Sequence, residues 1–193
     1  MENEELFKIL AGQHPIKLEL KEKLNEMVKK ETYSKSQIIL KPSQVANRSW
    51  YIQKGSAMGY TYKEERKVPF WFWHDKDLMV PINSFFSQKP SETYIELLEP
   101  SVLFSISYEH VQQLTKLFPD TNDYIRQVMQ DYHQMSQKRI LQLASLTPEE
   151  HYLNLMRDSP SIFLKASVES IAAYLGISRK TLNRIRTRTR RYS

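Results

Sequence analysis

The chain contains no cysteine, which removes disulfide scaffolds, thiolate metal sites and cysteine-ligated iron–sulfur clusters from consideration. Its 193 residues include only four glycines. That leaves little room for a phosphate-cradling glycine loop, and neither a G-x-S-x-G elbow nor a dinucleotide fingerprint occurs. No apolar stretch approaches the roughly 18–20 residues that a membrane span requires. The opening MENEELFKIL is acidic where a secretory signal would be basic and then apolar. A cytoplasmic protein with no membrane partner is the expectation. What the chain does have is 40% hydrophobic and 11% aromatic residues, enough to build a core.

Charge is informative by position. The formal net charge is +6, yet Arg179, Lys180, Arg184, Arg186, Arg188, Arg190 and Arg191 crowd the last seventeen residues with no acid among them. Without those seven the chain is left one charge on the acidic side of neutral. Such asymmetry points either to a polyanionic partner, nucleic acid above all, or to a solvated basic tail.

Periodicity divides the chain into three textures. Residues 1–31 read as helix, with Leu20, Leu24, Met27 and Val28 at three- and four-residue spacing. From 34 to about 107 short β-rich runs follow, with candidate strands at 37–40, 49–53, 57–62, 68–73, 93–98 and 102–107. Gly55 and Gly59 punctuate turns there, and 82–89 reads as a loop or short helix. This spacing suggests a sandwich or barrel. Helical spacing returns at 109–118 and again over 121–146, which has no Gly or Pro. In the second stretch Ile125, Val128, Tyr132 and Met135 form a narrow seam. Such a seam is expected to pair with a second copy, the alternative being that it packs on the chain's own sandwich.

Residues 167–188, SVESIAAYLGISRKTLNRIRTR, carry the functional signal. Ser167 is suited to cap a first helix, whose apolar face is Val168, Ile171, Ala172 and Leu175. Gly176 supplies a turn needing positive φ. Ser178 is suited to cap a second helix with Leu182 and Ile185 inward. Arg179, Lys180, Asn183 and Arg184 then share the outer side near its amino end. These side chains can read major-groove edges: Arg guanine, Asn adenine, Lys either acceptor-rich edges or phosphate. Arg186 and Arg188 lie further along, where phosphate is the natural contact. Thr181 completes the expected DNA-binding set with the capping serines. The competing reading is a helical hairpin with a charged outer face.

The chain resembles the Crp/Fnr superfamily of bacterial regulators over nearly its whole length. YIQKGSAMGYTY (51–62), LFSISYEHVQQL (103–114), FPDTNDYIRQVMQDYHQ (118–134) and IAAYLGISRKTLNRIR (171–186) carry the resemblance. It implies an α+β architecture: an amino-terminal double-stranded β-helix (jelly-roll) sensor with N-terminal helices over 1–120, a dimerisation helix over 121–146 and a helix-turn-helix domain over 147–193. It further implies a homodimer on a palindromic duplex, RNA polymerase as an onward partner, and an effector of unspecified chemistry.

Departures from the family pattern matter too. Cyclic-AMP-binding members carry a Gly-Glu pair and then an Arg-Ser or Arg-Thr pair. Here Ser91 and Glu92 fall near the second pair and no Gly-Glu precedes them, so cyclic AMP is not expected to bind. The β-hairpin wing of many members is expected to be shortened or missing. The aromatic run Phe70, Trp71, Phe72 and Trp73 could line a pocket or fill the core, with at most two of the four facing one side. The histidines His14, His74, His110, His133 and His151 are scattered without the His-X-His pair of a jelly-roll metalloenzyme. No cofactor, metal or enzymatic activity is expected. The alternative is a jelly-roll small-molecule binder or enzyme with an incidental basic tail.

Overall fold

The computed structural model describes Leu6 and residues 16–189; Arg190 and Arg191 lie outside them. Helix α1 (Leu18–Met27) buries Leu20, Leu24 and Met27. Eight strands follow: β1 (Lys29–Tyr33), β2 (Ile38–Leu40), β3 (Arg48–Lys54), β4 (Ala57–Lys63), β5 (Arg66–Trp73), β6 (Leu78–Met79), β7 (Tyr94–Leu97) and β8 (Ser101–Ser107). A short helix, α2 (Ile82–Ser87), lies between β6 and β7. The helices α3 (Tyr108–Leu117), α4 (Thr121–Ser145), α5 (Pro148–Asp158), α6 (Ile162–Lys165), α7 (Val168–Tyr174) and α8 (Arg179–Thr189) complete the described chain.

The strands form two four-stranded sheets in the orders β1-β8-β3-β6 and β2-β7-β4-β5. Every pairing is antiparallel. Between them lie Trp50, Ile52, Ala57, Trp73, Met79, Phe85, Ile95, Leu97 and Leu103. The outer faces are covered as well. Tyr51 and Phe104 of the first sheet pack with Leu6. Met58, Tyr60 and Phe72 of the second sheet pack with Tyr152, Leu155, Ile171, Ala172, Leu175, Leu182 and Ile185 from the carboxy-terminal helices. Strands covered on both faces lose the simple in–out alternation of a half-buried strand.

Of the helix expected over 1–31, Leu18–Met27 is helical and Lys29–Tyr33 is strand instead, while 1–5 and 7–15 lie outside the described residues. The segment KKETY is polar, but it pairs along its whole length with apolar β8, from Lys29 opposite Ser105 to Tyr33 opposite Ser101. Tertiary pairing overrides local texture there. Gly55 does sit at a turn, with φ +127° and no room for a Cβ beside Ser101. Gly59 does not: it lies inside β4 at a register shift against β5, where a Cβ would strike the Phe70 and Trp73 rings. Of the four aromatics, Trp71 and Trp73 contact the inter-sheet core, Phe72 faces the carboxy-terminal helices and Phe70 is exposed.

Helix α4 departs from the drawn seam. Ile125, Val128 and Tyr132 pack against the chain's own core, which is the other of the two uses open to them in the sequence. The Tyr132 hydroxyl donates to the Leu78 carbonyl at 2.6 Å and accepts from Val80 N–H at 2.8 Å and Trp73 Nε1–H at 3.3 Å. Burial pushes this phenol up to about 12. Met129, Met135, Ile140, Leu141 and Leu143 remain exposed.

Candidate nucleic-acid interface

Helix α5 opens with a reciprocal cap. Thr147 Oγ1 accepts from Glu150 N–H and the Glu150 carboxylate accepts from Thr147 N–H, with Pro148 at the first turn. This arrangement satisfies otherwise orphaned donors. Helix α7 is capped by Ser167, whose hydroxyl accepts from Ser170 N–H at 3.0 Å. Its last turn closes through Gly176 N–H to Ala173 O and Ile177 N–H to Ala172 O, with Gly176 at φ +71°. Ser178 caps α8, accepting from Thr181 N–H at 3.1 Å, and its hydroxyl also meets that of Thr181 at 2.9 Å. Ala172 is fully buried, as are Leu182 and, nearly, Ile185.

The structure brings Arg179, Lys180, Asn183 and Arg184 together on the exposed side of α8, opposite Leu182 and Ile185. Arg188 is exposed and Arg186 half-buried. Ser167, Ser178 and Thr181 serve the caps of the two helices. Two of the expected contacts hold acids already. Arg179 pairs with Glu169 of α7 at 2.8 Å, both largely exposed, and Arg188 pairs with Glu149 of α5. Sequence reasoning missed both acids, because a partner on another helix leaves no local spacing signal.

A second feature joins this helix pair to the rest of the chain. Arg139 of α4 projects between α5 and α7. Its guanidinium meets His151 Nε2 at 2.6 Å, donates to the Tyr174 carbonyl and lies 3.7 Å from the centroid of the Tyr174 ring. Tyr174 in turn packs on Phe72 of β5, with ring centroids 4.8 Å apart. Burial, followed by the neighbouring Arg139 charge, holds His151 below the usual histidine range. With an arginine donating to Nε2, the imidazole proton resides on Nδ1. Lys165 of α6 adds an ion pair to Glu99 at 2.6 Å, and the Ser56 hydroxyl donates to the same carboxylate. Arg139 lies seven residues after Tyr132, on the same face of α4. That continuation of the packed face was the available signal.

Ser91, which falls near the Arg-Ser position of cyclic-AMP-binding proteins, is buried. Its hydroxyl is held by the Thr93 backbone and its own N–H donates to the Gln44 carbonyl. Glu92 is exposed. Among the described residues there is no group of three His, Cys, Asp or Glu placed to hold a metal. No helix among them is long and apolar enough to cross a membrane.

Sandwich, connecting helix and capped helix pair together define the class: a jelly-roll domain joined to a helix-turn-helix. No protein-family model matches the chain, and no curated protein matches it. Solved structures share its fold. FixK2 from Bradyrhizobium japonicum superimposes with a TM-score of 0.75 at 13% identity, covering 86% of this chain and 85% of that one. A protein from Eubacterium rectale described as a transcriptional regulator of the Crp/Fnr family gives 0.71 at 18% identity, over 88% and 82% of the two chains. The c-di-GMP-responsive global regulator CLP from Xanthomonas campestris gives 0.62 at 18% identity, over 90% and 92%. The chain thus shares the fold of these structures.

Proposed function

We propose that the chain is a sequence-specific, DNA-binding transcription regulator of the Crp/Fnr type. The observation that carries this reading is the exposed face of α8, where Arg179, Lys180, Asn183 and Arg184 stand clear of a buried Leu182–Ile185 side. A helix of this kind enters the major groove with its amino end against base edges. Residues 1–120 form the sensor, 121–146 the dimer helix and 147–193 the reading head. RNA polymerase is the onward partner that this reading implies.

The homodimer uses a different face of α4 from the one drawn on the sequence. Met129, His133, Ser136, Ile140 and Leu143 follow alternating steps of four and three. Ile140 is 64% exposed and Leu143 53%. Exposed apolar side chains at this spacing favour a second copy of the helix as occupant. The two-fold axis then sets half-site spacing. Signals reach the reading head by shifting the population of its docked arrangement on the second sheet, with Arg139, Tyr174 and Phe72 at the joint. Cyclic AMP is not the signal: Ser91 offers no positive charge, and Glu92 beside it is exposed and acidic.

Anisotropy titration of a palindromic duplex at several salt concentrations tests the reading. A steep fall of affinity with salt and one dimer per duplex are expected. Salt-independent binding, or none, sinks it in favour of the small-molecule-binding alternative.

A further inference from the structure

Arg139 carries a positive charge into the joint between α4 and the carboxy-terminal helices, and its partners there are all neutral. They are the His151 Nε2 atom, the Tyr174 carbonyl and the face of the Tyr174 ring. The carbonyl, at the end of α7, and the ring both accommodate a guanidinium across the pH range in which histidine titrates. The His151 contact does not. A guanidinium has donors and no acceptor, so Nε2 must offer its lone pair, and the bond exists only while the imidazole is neutral. A proton on Nε2 turns that acceptor into a donor and sets two positive charges against one another at 2.6 Å. His151 is 5% exposed, so solvent does little to screen them.

Neighbouring groups do not offset that second charge. The acids of α5 and α7 are engaged elsewhere: Glu149 with Arg188, Glu150 with Thr147, Asp158 with Arg157 and Glu169 with Arg179. On α4, Asp123 pairs with Arg126 and Asp131 accepts from Gln127. The other titratable group facing His151 is Tyr174, its ring centroid 6.5 Å away, and burial raises that phenol and keeps it neutral. Position makes the contact consequential. Arg139 lies on α4, His151 on α5 and Tyr174 on α7, so one guanidinium bridges the turn at 146–147 that separates the long helix from those that follow. We propose that the Arg139–His151 pair is a proton-operated latch, holding α5 and α7 against α4 while His151 is neutral and letting them go when Nε2 is protonated.

Burial, then the Arg139 charge, holds His151 below its usual value near 6.5, so the latch is closed at neutral pH. Once released, the ring regains its ordinary value and binds protons more readily. Release is therefore favoured as pH falls below about 6.5, by up to about tenfold per pH unit, until the docked ring itself titrates. Its effect on DNA rests on the regulator reading, but the latch is measured without DNA, so the two can fail separately. The chain has no cysteine. Spin labels at Lys35→Cys and Thr187→Cys, both exposed positions, therefore report the distance from the sandwich to α8, with labelled chain diluted in unlabelled chain. Pulsed electron resonance should show one narrow distribution at pH 7 and a second, broader one at pH 5, with far-UV circular dichroism unchanged. His151→Gln, whose amide oxygen accepts from Arg139 at either pH, should keep the narrow distribution throughout. His74→Gln should keep the wild-type response, since His74 lies by Asp77 and Lys165 rather than Arg139. Nitrogen NMR should find the His151 proton on Nδ1 at pH 7, and Arg139→Gln should raise its titration midpoint towards 6.5. The proposal is overturned by a wild-type distance that ignores pH, by a response that survives His151→Gln or vanishes in His74→Gln, by loss of helix at pH 5, by a proton on Nε2 at pH 7, or by a midpoint that Arg139→Gln leaves in place.

Discussion

Replacing Tyr132 with Phe removes one oxygen and separates the two uses to which α4 can be put. That oxygen serves Leu78 O, Val80 N–H and Trp73 Nε1–H at once. Both donors belong to buried residues, Val80 at 7% and Trp73 at 4% exposure. A net hydrogen bond is worth about 0.5–1.5 kcal/mol, and an orphaned buried donor costs about 1–3 kcal/mol. The ring stays and keeps its packing, so the combined loss should be about 2–4 kcal/mol. For a chain of this size each kcal/mol moves the melting temperature by about 2–4 °C. Calorimetry and sedimentation velocity on Tyr132→Phe should therefore show a melting point lowered by several degrees and a dimer of unchanged size. The paired variant Ile140→Glu, Leu143→Glu should do the reverse: near-native melting of the monomer and loss of the dimer. If Tyr132→Phe dissociates the dimer while leaving melting alone, the assignment of α4's faces is inverted.

Glu169→Gln frees Arg179 from its ion pair and removes a carboxylate from beside the duplex. An exposed pair is worth about 0.2–1 kcal/mol, so anisotropy titration should show DNA affinity rising by a few fold, and a fall would place Arg179 away from the DNA. Acid should destabilise the chain through its buried imidazoles. Burial depresses both His151 and His74, so below the free-histidine value near 6.5 the unfolded chain binds more protons, and stability declines as pH falls until the folded groups also titrate. Denaturant unfolding from pH 7 to pH 5 should register this, with His151→Gln flattening part of the slope; an unaltered slope removes His151 from the account. Cyclic AMP should give no calorimetric signal at micromolar concentrations. Tight binding would mean that another cation replaces the missing arginine.

How far the sequence could be read depended on where each residue's partner lies. Six of the strands were legible because Val, Ile and aromatic runs are bounded by turn residues, and the helix-turn-helix because its caps, Gly176 and apolar positions are all local. Strand β1 was not, since KKETY becomes a strand only by lying beside β8. The face of α4 was misread for a related reason. Tyr132 looks like a seam residue in one dimension, and only the fold reveals Leu78, Val80 and Trp73 waiting for its hydroxyl. In helix α8 the basic face was legible, whereas its ion pairs with Glu169 and Glu149 were not. Those acids precede their arginines by ten and thirty-nine residues.

The central claim is that α8 reads sequence from its amino-terminal turn, and selection from a pool of randomised duplexes tests it most directly. Wild-type protein should enrich an inverted repeat. Arg179→Ala should relax preference mainly at one base pair per half-site, at a cost of about 1–3 kcal/mol on the best site. Arg188→Ala should weaken all duplexes alike and lower the salt slope by roughly one. An enriched motif that Arg188→Ala alters and Arg179→Ala leaves intact would contradict the register given to this helix. No enriched motif at all would contradict the account.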